Sequence, residues 1–173
     1  MVGVMGSGSE EHRDLAEPLG VWLAREGLHL LNGGGGGVME AVSRAYHGVH
    51  WRRGLVVGIL PGVFLDGECR PPEGYPNPWV ELPIRTHLPL SGRRGTEPLS
   101  RNHINVLSSD VIVALPGGPG TASEVALALR YRRPVIAYLG RSGTIDGLSL
   151  DGVSVARHLG EVQRFVRQSL PKS

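Results

Sequence analysis

Val111-Ile-Val-Ala-Leu-Pro-Gly-Gly-Pro-Gly-Thr-Ala-Ser-Glu124 is the stretch that decides the fold. Its β-branched, apolar opening reads as a buried strand. Pro116 stops that strand, three glycines turn the chain, and a helix is predicted from Thr121. A strand that feeds a helix through such a turn leaves the first helical N–H groups unpaired, at the positive end of the helix dipole. That geometry holds an anion, most often a phosphate. Glycines there let a ligand come close to the backbone and permit positive φ.

The same strand–loop–helix pattern recurs on either side. Val2–Met5 reads as a short buried strand that runs into Gly6-Ser-Gly-Ser9. A helix follows with Leu15, Leu19, Trp22 and Leu23 on one face and Gly27 as its stop, and Pro18 within it predicts a kink or a late start. Leu28–Leu31 is a second strand, breaking into Asn32 and the run Gly33–Gly37. A second amphipathic helix then carries Val38, Met39, Val42 and Ala45. Further strands are predicted at Leu55–Leu60, Trp79–Leu82 and Pro134–Leu139, with helices at Ser100–Ser108 and Val155–Gln168. The Pro- and Gly-rich stretches Val63–Pro78 and Pro83–Pro98 read as irregular loops. Near-continuous apolar strands alternating with helices give an α/β fold, a single Rossmann-like, doubly wound parallel sheet with helices on both faces. Residues 1–173 are expected to form one nucleotide- or anion-binding domain of this kind. Ligands of such sheets sit beyond the C-terminal ends of the strands. Gly-rich loops follow Met5, Leu31 and Leu115, so all three should meet at that edge.

Composition narrows the classes. A chain of 173 residues can bury one sizeable core, and 40% hydrophobic with 20% charged residues is ordinary for a soluble domain. Net charge of +2 and 5% aromatic residues supply neither an electrostatic footprint nor a stacking platform, so no nucleic-acid partner is expected. Arg52-Arg53 and Arg132-Arg133 read as solvated surface, whereas Arg93-Arg94 lies just upstream of a candidate site helix. Cys69 is the single cysteine, which excludes an intrachain disulfide and fits a reducing compartment. No apolar run approaches the roughly 20 residues of a membrane span, and the N-terminus lacks a basic-then-apolar leader. A cytoplasmic location is the expectation. His47 and His50 have the spacing of a metal pair but no third ligand, and no metal ion is expected.

Gly117, Gly118, Gly120 and Thr121 are the expected anion cradle. No Lys-Ser or Lys-Thr follows, and no distant acid completes a dinucleotide fingerprint, which argues against ATP hydrolysis and nicotinamide chemistry. Thr121 and Glu124 fit a capping box that needs no ligand. The same spacing also aims a carboxylate at the loop mouth, and the residues leave both readings open. Ser100 is the expected N-cap of the preceding helix. Arg101 then falls at its first position, where a cation opposes the dipole. A bound anion would account for it, since arginine grips phosphate or carboxylate through two parallel hydrogen bonds. Gly34, Gly35 and Gly36 read as a further backbone cradle, with Gly6 and Ser7 supplying more donors.

Asn32–Met39, Gly58–Pro61, Arg101–Asp110 and Pro116–Glu124 together resemble one superfamily in order and spacing. It holds the molybdenum cofactor carrier proteins and the "Lonely guy" phosphoribohydrolases, which are often labelled lysine decarboxylases. The resemblance spans roughly residues 2 to 140. It implies a homo-oligomer, a dimer or tetramer, with a phosphorylated small molecule as partner. The carrier branch implies the molybdenum cofactor, an anionic pterin with a phosphate, as a ligand that is not turned over. The enzyme branch implies a nucleoside monophosphate, cleaved at its N-glycosidic bond, with Arg101 and Glu124 as catalytic residues. The signature Pro-Gly-Gly-x-Gly-Thr-x-x-Glu of the enzymes is complete from Pro116 to Glu124. Asn102 departs from it, because a lysine normally follows the catalytic arginine.

Overall fold

A computed structural model describes residues 1–171. The chain runs β1 (Val2–Met5), α1 (Arg13–Arg25), β2 (Leu30–Asn32), α2 (Val38–His47) and β3 (Val56–Leu60). A hairpin of β4 (Val63–Leu65) and β5 (Glu68–Arg70) follows, then β6 (Leu82–Arg85), α3 (Asn102–Leu107) and β7 (Val111–Ala114). The last elements are α4 (Pro119–Arg130), β8 (Val135–Tyr138), β9 (Ser154–Ala156) and α5 (Leu159–Ser169). Seven strands form one sheet in the order β6-β3-β2-β1-β7-β8-β9, parallel throughout. The chain winds outward one way from β1 and the other way from β7. The expected doubly wound, Rossmann-like α/β layer is therefore what forms, with its switch point between β1 and β7.

Alternation along the strands builds the two layers. Val111 and Val113 of β7 pack with Leu19 and Leu23 of α1, Val42 of α2 and Val162 of α5. Ile112 and Ala114 face the other way, against Val106 of α3 and Val125 and Ala128 of α4. Both faces of β7 are thus buried, which is why its sequence lacks polar alternation. The close approach of α1 to α2 depends on Gly20, where any Cβ would run into the carbonyl of Val42. Tyr46 closes that layer, its hydroxyl donating to the Leu28 carbonyl at 2.7 Å.

Three local readings differ from the sequence expectation. The strand expected at Trp79–Leu82 forms instead at Leu82–Arg85. Asn77 Oδ1 accepts the Trp79 N–H at 3.1 Å and the Asn77 N–H donates to the Gly34 carbonyl at 2.7 Å, which holds that segment as a turn. Pro83 is tolerated because β6 is an edge strand. The stretch Val63–Pro78 contains a hairpin, turned by Asp66 at φ 51° and Gly67 at φ 81°. The last helix begins at Leu159, because Ser154–Ala156 pair with β8 as a short edge strand. Glu161 then accepts the His158 N–H at 2.9 Å and completes a capping box. Pro18 sits inside α1 without ending it.

Candidate anion-binding site at the switch point

α4 begins at Pro119, two residues earlier than expected, with Gly118 as its N-cap in an extended conformation. Proline suits that first position because no N–H is needed there. Thr121 is consequently the third helical residue and Glu124 lies in the second turn, so the Thr-x-x-Glu capping box does not form. None of Gly117, Gly118 and Gly120 has positive φ, and only Gly117 is required for room. At Gly117 a Cβ would collide with the Thr121 hydroxyl and lie 2.9 Å from the Ser7 nitrogen. At Gly118 nothing lies within 4 Å, and at Gly120 nothing nearer than 3.8 Å.

The Gly117 N–H donates to the Thr144 carbonyl at 3.1 Å. The N–H groups of Gly118, Gly120 and Thr121 have no acceptor among the described residues. They border a cavity of about 510 Å³, walled by the loops after β1, β7 and β8. Gly6 and Ser7 line it, but the Ser7 N–H is taken by the Pro116 carbonyl at 3.1 Å. Ser7 Oγ accepts the N–H groups of Ser9 at 3.2 Å and Glu10 at 3.0 Å, so this serine shapes its loop. Gly6 lets β1 pass Val38, which a Cβ would meet at 2.8 Å.

Gly34, Gly35 and Gly36 line neither this cavity nor the smaller one beside it. Gly34, at φ 74°, donates to Asn32 Oδ1 at 2.8 Å. The Gly35 carbonyl accepts Asn77 Nδ2 at 2.8 Å, and Tyr75 packs on Gly35 where a Cβ would sit. Gly36 lies against the Gly8 carbonyl. The run clamps three loops together, and its contribution to a cavity wall is Gly33.

A second chamber of about 180 Å³ lies behind the first and shares Gly6, Gly8, Gly120 and Thr121 with it. Arg101 and Glu124 both line it, 5% and 8% exposed, without a direct ion pair between them. α3 begins at Asn102 with Arg101 at its N-cap, so, against expectation, Ser100 is not the cap and Arg101 is not the first helical residue, although Ser100 Oγ accepts the Asn102 N–H at 3.2 Å. Arg101 reaches back across the sheet edge, where Nη1 donates to the Ile59 carbonyl at 2.9 Å. Its guanidinium fills the space beside Gly33 and lies 5.9 Å from the Tyr75 ring centroid. Asn105 Nδ2 donates to Glu124 Oε1 at 3.0 Å. Burial pushes the Glu124 carboxyl above the usual carboxylate range, against smaller opposing pulls from Arg101 and Asn105. Of the three free amides, Gly118 borders only the larger cavity, while Gly120 and Thr121 also border the chamber that holds Arg101 and Glu124. The sequence assigned no site role to Tyr75, Asn105 or the Gly-rich loop after β8. Only that loop carried a signal, its glycines following an apolar strand.

Among the described residues no cluster of His, Cys, Asp and Glu is placed to hold a metal ion, and no helix is long and apolar enough to cross a membrane. A doubly wound parallel sheet with free helix amides at its switch point defines the class, a Rossmann-like α/β fold. The chain belongs to the SLOG cluster4 family, which it matches over residues 1–162. It is 36% identical over 149 residues to a protein of Archaeoglobus fulgidus, a match spanning 85% of this chain and 84% of that one. Among solved structures it is similar to the molybdenum cofactor binding protein of the phototrophic bacterium Rippkaea orientalis. The identity there is 32% and the TM-score 0.72, over 96% of this chain and 94% of the other. It is also similar to the molybdenum cofactor carrier protein of Chlamydomonas reinhardtii, at 30% identity and a TM-score of 0.71, over 99% and 98% of the two chains.

Proposed function

We propose that this chain binds a phosphorylated small molecule of nucleotide or pterin type and carries it without turning it over. The molybdenum cofactor, a pterin bearing a phosphate, belongs to that class. The carrying observation is the set of unpartnered N–H groups at Gly118, Gly120 and Thr121, fronting an open cavity at the switch point. A phosphate there gains oriented donors and the helix dipole together. In this reading Gly117, Gly6 and Ser7 shape the cradle, and Gly34, Gly35 and Gly36 support the loops around it. Likeness to the two molybdenum cofactor proteins supports the carrier role. The setting is a cytoplasmic homo-oligomer, for which the exposed Leu82 and Ile84 of the edge strand offer an apolar surface. Calorimetric titration with a phosphomonoester tests the site, because a Gly120→Asp side chain would enter the cavity. Unimpaired affinity in that variant would sink the proposal.

A second reading is a phosphoribohydrolase, favoured by one observation, that buried Arg101 and Glu124 line one chamber beside the free amides. Cleavage of an N-glycosidic bond passes through an oxocarbenium-like state that a carboxylate stabilises. Arg101 would then assist departure of the base. Release of ribose 5-phosphate from nucleoside monophosphates, lost in Glu124→Gln, would support this reading. A protein that binds these compounds and releases nothing would refute it.

A further inference from the structure

Arg101 and Glu124 are under-satisfied. Arg101 Nε is sealed from solvent with no acceptor. Arg101 Nη2 and Glu124 Oε2 have no hydrogen-bond partner among the described residues. Both side chains are more than nine-tenths buried and line the inner chamber. Asn105 Oδ1, next to Glu124 through its own amide, is likewise sealed with no partner, and unpaired polar groups in one chamber are costly unless something enters to pair them. Guanidinium only donates, and a carboxylate oxygen accepts. The complementary group therefore presents an acceptor to Arg101 and, directly beside it, donors to Glu124. The chamber's other walls fit a flat ring, since Tyr75 and the thioethers of Met5 and Met39 line it. Its volume of about 180 Å³ suits one fused ring system rather than a whole nucleotide.

We propose that the inner chamber reads the amino-oxo-pyrimidine edge shared by guanine and pterins, with Arg101 on its carbonyl and Glu124 on its ring N–H and amino group. This rests on the phosphate reading above and deepens it. The phosphate stays on the outer amides, and the ring passes Gly120 and Thr121, which both chambers share. An adenine edge fails the test, because it offers a donor where the carbonyl should be and an unprotonated nitrogen where a donor should be. Hypoxanthine keeps the carbonyl and the ring N–H but lacks the amino group.

The test is isothermal titration of the full chain with GMP, IMP, AMP and hydroxymethylpterin phosphate, for wild type and Glu124→Gln. Hydroxymethylpterin phosphate has no glycosidic bond, so its binding reports recognition without cleavage. GMP and the pterin phosphate should bind about tenfold to a hundredfold more tightly than AMP, with IMP between. Whichever of those two binds more tightly assigns the source of the edge, nucleotide or pterin. Glu124→Gln should bind all four compounds with the guanine and pterin preference erased, since Asn105 Nδ2 can still hold the Gln carbonyl and its NH2 then faces the ring N–H. Thermal unfolding of the variant checks that it folds. Equal affinity for AMP and GMP, or a preference that survives in Glu124→Gln, overturns the inference while leaving phosphate binding intact. No binding of any of the four overturns the phosphate reading itself.

Discussion

Gly118→Asp should move stability and ligand affinity in opposite directions. Gly118 is the N-cap of α4, extended, with nothing within 4 Å of where a Cβ would project. An aspartate fits there without strain. At an N-cap its carboxylate accepts the N–H groups of the second and third helical residues, here Gly120 and Thr121. Those are two of the three amides assigned to the phosphate. The new side chain therefore occupies the cradle and repels what the cradle would hold. Two unit charges about 4 Å apart repel by about 1 kcal/mol in a water-like medium and about 4 kcal/mol at an effective dielectric of about 20. Affinity for a phosphomonoester should fall roughly tenfold or more, at about 1.4 kcal/mol per tenfold. Stability should hold or rise, because a negative charge at a helix N-terminus contributes about 0.3 to 1 kcal/mol. Gly118→Asn separates shape from charge, as it caps about equally well without repelling an anion. Calorimetry with GMP or hydroxymethylpterin phosphate, alongside thermal unfolding, reads both quantities. A folded Gly118→Asp that binds as tightly as wild type would refute the placement of the phosphate.

Gly117→Ala should lower the unfolding temperature, at a cost of about 1 to 3 kcal/mol, because its methyl enters the space held by Thr121 and Ser7. Tyr46→Phe should cost about 1 kcal/mol in urea unfolding by leaving the partly buried Leu28 carbonyl without its donor. Glu124 has its folded pKa raised by burial, so the folded state binds its proton more tightly than the unfolded chain does. The stability this contributes is fully present below the ordinary carboxylate range and is lost as pH rises through the raised value. Glu124→Gln should flatten that part of the stability profile and, without ligand, be at least as stable as wild type at neutral pH. A variant that is less stable there would show that the carboxylate is held ionised.

The doubly wound sheet was legible because Val2–Met5, Leu30–Asn32 and Val111–Ala114 are buried on both faces and each leads into a Gly-rich loop. What escaped notice is short or lies at an edge. β9 is three residues long with Ser154 and Val155 exposed, so no periodicity marks it. The hairpin after β3 did carry a signal, Asp66-Gly67, inside a stretch whose Pro and Gly content masked it. Glycine in Pro116–Gly120 pointed to the cradle, yet the start of α4 depended on seeing Pro119 as a first helical residue and not as part of the turn. The chambers themselves are tertiary facts. Arg101 crosses to the carbonyl of Ile59, forty-two positions away in sequence, and Asn105 reaches Glu124 on a different helix. Spacing along one chain fixes which residues could be near the strand ends. It does not fix which of them share a cavity, as Gly34, Gly35 and Gly36 illustrate.

The central claim is that a phosphate sits on the free amides at the start of α4. Backbone amide NMR during titration with a phosphomonoester addresses it directly. The N–H resonances of Gly118, Gly120 and Thr121 should shift together and saturably, while that of Gly117, already bonded to Thr144, moves much less. Saturable binding that leaves those three unmoved and shifts another set of amides would contradict the account.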